Sequence, residues 1–154
     1  MSIEELKKEL AKFKFSTAGR AQFSDVDLFG VVHNVKYLYW LENARLDYFE
    51  NVGIAMHPHT ISKDFPIMVV ETKINYYLPL RFTQSYEILT RVKSIKNSSF
   101  VIENIVLNES KAFVAYAKSA FVHLDKKTFK SERIPDNIRE LIKKFEGDDL
   151  TIAD

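Results

Sequence analysis

The 154-residue sequence contains no cysteine, and this absence removes several kinds of chemistry. A chain without thiols has no disulfide framework, no thiolate zinc site and no cysteine nucleophile. Glycine and proline are scarce, at four residues each, so turns are few and long helices and strands are expected. No stretch approaches the roughly 18 apolar residues of a membrane span, and the N-terminal residues lack the apolar core of a signal peptide. We therefore expect a cytoplasmic protein with no membrane partner.

An excess of charge of one sign is also lacking. Lysine and arginine total 22 against 21 acidic residues, which gives a formal net charge of +1. Proteins that bind nucleic acid usually show a basic excess or patch, so no nucleic-acid partner is expected. Apolar residues are abundant at 46%, and 12 Phe and 7 Tyr supply large rings for burial. A chain of this length can bury a full core as one domain over residues 1–154.

The hydrophobic pattern predicts two kinds of helix before the main run of strands. Residues 2–12, within an N-terminal helical segment over 1–13, carry Ser2 as N-cap and Glu5 at the capping-box position. A longer and largely enclosed helix is predicted from Val35, with Asn34 as its N-cap. Gly53 is predicted to end it, since glycine adopts the left-handed conformation without penalty.

Strand-like segments with short turns between them dominate the rest of the chain. Strands are predicted over residues 15–25, 67–77, 85–96, 100–107 and 112–124, followed by a helix over 134–145 and a flexible tail over 147–154. Short turns indicate antiparallel pairing. An antiparallel sheet beside a segregated apolar helix is an α+β fold, here a curved five-stranded sheet around one central helix.

An acidic segment leads into the long helix, with Asp25, Asp27 and Gly30 in order. A calcium loop is disfavoured, because its last position falls on Lys36 instead of a bidentate glutamate. The residues alone leave two interpretations open. The carboxylates can be turn or cap residues, or one can lie beside the free N–H groups of the helix start, which polarise a carbonyl oxygen. A carboxylate next to an oxyanion site has the parts needed for acyl transfer.

The pattern D-x-D-x-x-G-x-V-x-x-x-x-Y over residues 25–37, continuing as YLYWLENARLDYFENVG, resembles the signature of the 4-hydroxybenzoyl-CoA thioesterase family. The resemblance extends through the strands to about Leu124. It implies a hotdog fold and hydrolysis of an acyl-CoA thioester to a carboxylic acid and free CoA. A thiolate resembles free cysteine in acidity, with a pKa of about 8.5, so it leaves without a strong general acid.

The resemblance also implies roles for individual residues. Asp27 corresponds to the catalytic carboxylate, as base or as nucleophile, whereas Asp25 is expected to be structural. The backbone N–H near Asn34 corresponds to the donor that polarises the thioester. His33 and Tyr37 are candidates for substrate contact. Many relatives read Gly-His-Val-Asn-Asn where residues 30–34 read Gly-Val-Val-His-Asn, and this difference bears on substrate preference.

Two lysines are candidates for the phosphates of CoA. Relatives place basic residues around the turn near Lys93 and Lys96, and cationic side chains suit phosphate. The structural alternative is that both lysines are solvated side chains at a sheet edge. For Tyr37, the structural alternative to substrate contact is filling the core. His57 and His59 lack a nearby third ligand and are interpreted as surface residues. No metal or cofactor is expected, since the CoA thioester is the substrate.

The resemblance implies a homo-oligomer, either a homodimer or a homotetramer, with its active site between subunits. Three alternatives remain open: a thioesterase acting on acyl-carrier protein, a non-catalytic acyl-CoA binding protein, and a structural hotdog subunit of a larger complex. The sequence does not select the acyl group.

Overall fold

A computed structural model describes residues 1–57 and 64–153. Within them the chain forms the helices α1 (Ile3–Glu9), α2 (Asn34–Asn51) and α3 (Asp136–Glu146). None of these helices is long and apolar enough to cross a membrane. The strands, in chain order, are β1 (Phe15–Arg20), β2 (Ile67–Tyr76), β3 (Ser85–Ile95), β4 (Ser99–Asn108), β5 (Phe113–His123) and β6 (Thr151–Ile152).

The five longer strands form one antiparallel sheet in the order β1-β3-β4-β5-β2, which leaves β1 and β2 at its edges. The predicted five-stranded antiparallel sheet with one long helix is confirmed. Strand β1 is shorter than predicted, because it ends at Arg20 and a 3₁₀ turn follows over Phe23–Asp25. The Asp25 carboxylate accepts the Gln22 N–H at 2.7 Å, so it caps this turn and does not extend the strand.

Helix α2 packs against one face of the sheet, which we call the inner face. Trp40 stacks on the ring of Tyr86 with centroids 4.0 Å apart, and Tyr48 and Phe49 are fully buried. Gly53 follows the helix with a φ of 94°, as predicted for a left-handed C-terminal residue. Burial of such large rings supplies most of the apolar contact that holds α2 in place.

Helix α1 covers part of the opposite face, which we call the outer face. Leu6 is fully buried there among apolar side chains of β4 and β5, including Ile105 and Phe113. The predicted capping box is present, since Ser2 and Glu5 each accept the other's backbone N–H. The α-helix ends at Glu9, and the last residues of the predicted range form a 3₁₀ turn over Leu10–Lys12.

The C-terminal segment, for which the sequence predicts a flexible tail, contacts the sheet over residues 147–153. Strand β6 pairs in parallel with the end of β3, matching Thr151 to Ser94. Leu150 is buried against the core, and the Ala153 N–H donates to the Ile95 carbonyl at 3.1 Å. The edge of β3 is free at this point because β1 pairs only with its first part, and the tail occupies that edge.

Candidate active site

The connection between β1 and α2 is a tight loop fixed to the segment that precedes β3. Val26 and Val32 form an isolated bridge that closes the loop. The Val32 N–H donates to the Leu80 carbonyl at 2.8 Å, and the Phe82 N–H donates to the Gly30 carbonyl at 3.1 Å. These backbone bonds hold the loop in one position relative to the sheet.

Asp25 is a structural residue of this loop. Its side chain is 11% exposed, and its Oδ1 lies 3.7 Å from the Lys36 ammonium. Its backbone carbonyl accepts the His33 N–H at 2.8 Å. Together with the hydrogen bond from the Gln22 N–H, these contacts of Asp25 link the loop to the start of α2.

Asp27 lies at the tip of the loop and is half-buried. Its Oδ1 accepts the Phe29 N–H at 2.8 Å and the Val31 N–H at 3.4 Å. Both of these bonds go to one oxygen, so Oδ2 takes part in neither. Gly30 has a φ of 70°, a conformation that glycine adopts at no steric cost, and it allows the chain to fold back over the carboxylate.

The N-terminus of α2 follows directly, and its cap differs from the prediction. His33 is the N-cap, because its Nδ1 accepts the Val35 N–H at 3.4 Å and its carbonyl accepts the Lys36 N–H at 2.9 Å. Asn34 is the first helical residue. Its N–H takes part in neither cap bond, and first-turn N–H groups have no partner inside the helix. The positive end of the helix dipole lies at the same place.

An apolar cavity of about 320 Å³ opens beside this helix start. Its lining comes from the loop, from α2 and from the end of β2: Val31, Val32, Asn34, Tyr37, Tyr76, Tyr77, Leu78 and Pro79. The Asp27 N–H donates to the carbonyl of Val31 at 2.9 Å, so Asp27 adjoins the cavity wall. Sequence reasoning missed the last residue of β2 and the three residues that follow it, although the aromatic pair before a terminating proline is a visible signal.

Tyr37 is mostly buried at the base of the cavity. Its ring packs edge-on against Tyr76 with centroids 5.2 Å apart, and burial raises the pKa of the Tyr37 phenol to about 12. Tyr37 therefore stays a neutral phenol across the physiological pH range. The Tyr76 hydroxyl donates to the Asn34 carbonyl at 3.2 Å, which fixes the first peptide of α2 to the sheet.

Lys93 and Lys96 do not approach Asp27 within one chain. The Lys93 ammonium donates to Glu103 at 2.6 Å on the outer face. Lys96 follows β3, whose eleven residues run away from the loop and span roughly 33 Å. The structure thus brings together Asp27, Asn34 and Tyr37, with His33 as the cap, and leaves the two lysines at a distance.

Histidine and carboxylate side chains do not form a metal site within the described ranges. No three of them lie close enough to hold an ion in residues 1–57 and 64–153. His33 serves as a helix cap, and His59 lies outside the described residues.

An antiparallel sheet of five long strands packed on one long helix is the architecture of the hotdog class of proteins. The profile of the thioesterase-like superfamily matches residues 21–142, and the chain belongs to this superfamily. The predicted hotdog fold and the predicted class, a thioester hydrolase, are confirmed. The narrower 4-hydroxybenzoyl-CoA thioesterase family remains a prediction.

Relatives and solved structures agree with this family. The chain is 29% identical over 123 residues to FadM of Escherichia coli K12, a long-chain acyl-CoA thioesterase, covering 78% of this chain and 90% of FadM. It is 24% identical over 119 residues to the acyl-CoA thioester hydrolase YbgC of Escherichia coli O157:H7, covering 77% and 88%. The DHNA-CoA thioesterase of Staphylococcus aureus superposes with a TM-score of 0.78 at 21% identity, covering 85% and 89%.

Proposed function

We propose that this protein hydrolyses acyl-CoA thioesters, with Asp27 as the catalytic carboxylate. The observation that carries the proposal is the setting of Asp27. Its Oδ1 is held by two loop amides, its Oδ2 takes part in neither bond, and the loop adjoins both the N-terminus of α2 and an apolar cavity. A carboxylate, an N–H donor and an acyl-sized cavity are the parts that thioester hydrolysis requires.

In the proposed reaction the acyl group enters the cavity beside Tyr37 and Tyr76, and its carbonyl oxygen faces the Asn34 N–H. Positive charge at the helix start stabilises the oxyanion that forms. Asp27 either adds to the carbonyl carbon, giving an anhydride that water cleaves, or removes a proton from water as that water adds. In both routes the C–S bond breaks, and CoA leaves as a thiolate.

Replacement of Asp27 tests this proposal. Asp27→Asn is expected to lower kcat on acyl-CoA substrates by about 10²- to 10⁴-fold, the usual contribution of a catalytic base. Asp47→Asn is the matched control, since Asp47 is an exposed carboxylate on α2, and it should leave the rate unchanged. Turnover by Asp27→Asn at the wild-type rate would refute the mechanism. Hydrolysis rates measured on CoA thioesters and on acyl-carrier-protein thioesters show which of the two is the substrate. Saturable binding of acyl-CoA without turnover would indicate a binding protein.

A second copy of the chain completes the proposed site. Strand β2 is a ten-residue sheet edge, and its Met68, Val69 and Val70 are 46%, 53% and 60% exposed. A long exposed edge is a template for pairing with another strand. Antiparallel pairing of β2 with its copy across a two-fold axis reverses the partner sheet, and the partner's Lys96 then lies at the same end as Asp27. Lys96 suits the CoA phosphates better than Lys93, whose ammonium is committed to Glu103.

Light scattering combined with activity measurements tests the dimer. Val70→Lys is expected to give a monomer that has lost hydrolysis, because a charge on the β2 edge opposes strand pairing. Ala18→Lys makes the same kind of change on β1, the other edge, and should leave both the dimer and the rate intact. A fully active Val70→Lys monomer would mean that one chain holds a complete site.

A further inference from the structure

A groove of about 710 Å³ lies on the outer face, between α1 and the C-terminal segment. We call it the outer groove. Its floor is a row of side chains at matching register on four neighbouring strands: Arg91 opposite Glu103, Glu103 opposite Lys118, and Lys118 opposite Lys73. Residues directly opposite one another in an antiparallel ladder share a face of the sheet. The row therefore collects three cations and one carboxylate on one surface, on the face opposite α2.

The walls of the outer groove add three cations and three carboxylates. Lys8 and Lys12 come from α1 and Lys93 from β3, so six cationic side chains line the groove. The carboxylates that line it are Glu5, Glu9 and Asp149. With Glu103 on the floor, the groove holds six cations and four carboxylates, so it is locally basic on a chain whose net charge is only +1.

Glu103 is the carboxylate on the groove floor, and both of its oxygens accept hydrogen bonds from neighbouring side chains. Glu103 Oε1 accepts from Lys93 and from the Tyr116 hydroxyl, each at 2.6 Å. Its Oε2 accepts from Arg91 Nε at 3.0 Å and Nη2 at 2.7 Å. Glu103 therefore does not neutralise Lys118, which belongs to no ion pair in the described part of the chain.

Arg91 supplies the observation that points to a ligand. Its side chain is 2% exposed, and its Nη1 is buried without a hydrogen-bond partner. A buried donor without a partner is unfavourable, and more so on a charged group. Glu9 lies over the guanidinium, bonded to Nη2 at 2.9 Å, but it is 26% exposed at its side chain. Arg91 lines the outer groove, and its guanidinium carbon also lies 5.0 Å from the centroid of the Phe13 ring.

We propose that the outer groove binds a phosphate group, with Arg91 and Lys118 as its principal contacts. A guanidinium presents parallel N–H donors that match the oxygens of phosphate, and ammonium groups add point charges around it. The dianion supplies the missing acceptor for Arg91 Nη1 and neutralises Lys118, with Lys73 and Lys8 as further cations. This site lies on the other face of the sheet from Asp27 and does not depend on the proposed catalytic activity.

The test is an NMR titration of the ¹⁵N-labelled full chain with inorganic phosphate, with sodium chloride at equal ionic strength as the reference. Saturable shifts are expected at the amides around Lys8, Arg91 and Lys118. Lys118→Gln is expected to weaken binding about tenfold, the effect of losing one charge-assisted contact. Lys130→Gln removes another exposed lysine, which lies outside the groove, and should bind as the wild type does.

A second arm identifies the source of the phosphate. Titration with adenosine 3′,5′-bisphosphate should show tighter binding than inorganic phosphate if the groove takes a nucleotide, and equal or weaker binding if it takes the free ion. Either result supports a phosphate site. Shifts that chloride reproduces, shifts confined to the rest of the chain, or equal affinity of Lys118→Gln and Lys130→Gln would overturn the proposal.

Discussion

Asp27 and Glu103 are carboxylates in opposite situations on the two sides of the sheet. Both oxygens of Glu103 accept hydrogen bonds from Arg91, Lys93 and Tyr116, and the residue is 1% exposed. At Asp27 both bonds go to Oδ1, and the side chain is half-buried at the tip of a loop. The comparison teaches that charge density alone does not mark a reactive group. A reactive carboxylate needs an oxygen that is not occupied by hydrogen bonds from neighbouring groups.

The protonation of Glu103 agrees with this structural role. Burial raises the pKa of Glu103, but hydrogen bonds from Lys93, Tyr116 and Arg91 outweigh burial and hold the pKa below its ordinary value. The carboxylate therefore stays charged at neutral pH. Its negative charge keeps the buried Arg91 guanidinium from being an unpaired ion in the protein interior.

The largest effect on stability is expected from Glu103→Gln. The free energy of unfolding should fall by about 3–5 kcal/mol, because the change leaves the buried Arg91 cation without its main counter-charge. Urea denaturation measures the loss. Glu87→Gln is the matched control on β3, where Glu87 pairs with an exposed Lys111, and surface pairs contribute about 0–1 kcal/mol. Equal losses of unfolding free energy in the two variants would refute the prediction that the buried Glu103–Arg91 pair contributes more than the surface Glu87–Lys111 pair.

Acidification should remove the difference between wild type and Glu103→Gln. The pKa of Glu103 is lowered on folding, so its contribution is fully present above the unfolded pKa of about 4.3. That contribution is lost as pH falls through the lower folded pKa. The stability gap should therefore be constant near pH 7 and narrow below about pH 4. A gap that persists under acid conditions would mean that the carboxylate charge is not what Arg91 requires.

The sequence alone was sufficient to predict the helices and strands whose pattern is local. Helix α2 combines a broad apolar surface with Gly53 at its end. Strands β3, β4 and β5 are long strand-like segments separated by short turns, so these elements could be recognised from the sequence pattern. The acidic motif located the loop of Asp27 for the same reason: its residues are close together in the chain. The choice of His33 over Asn34 as N-cap was missed, since both can cap and the contacts of the loop decide between them.

Features that depend on strand register could not be predicted. Strand β6 has two residues and no pattern of its own, and it forms because β1 leaves part of β3 unpaired. The row of Arg91, Glu103 and Lys118 comes from three strands whose charged residues appear unrelated along the chain. Only the pairing register shows that they share one surface. The same holds for Tyr76, which reaches the start of α2 from a strand 42 residues away.

The smallest expected effect tests how far the setting of Asp27 depends on this tyrosine. Tyr76→Phe removes the hydrogen bond to the Asn34 carbonyl, worth about 0.5–1.5 kcal/mol, so kcat should fall by roughly two- to tenfold while KM stays near its wild-type value. Steady-state kinetics on one acyl-CoA substrate measures both constants. Tyr39→Phe makes the same chemical change at a tyrosine of α2 that is 62% exposed and does not line the cavity, and it should leave kcat unchanged. A loss of kcat shared by both variants would assign the effect to general stability, whereas a loss confined to Tyr76→Phe would identify Tyr76 as a positioning residue for the start of α2.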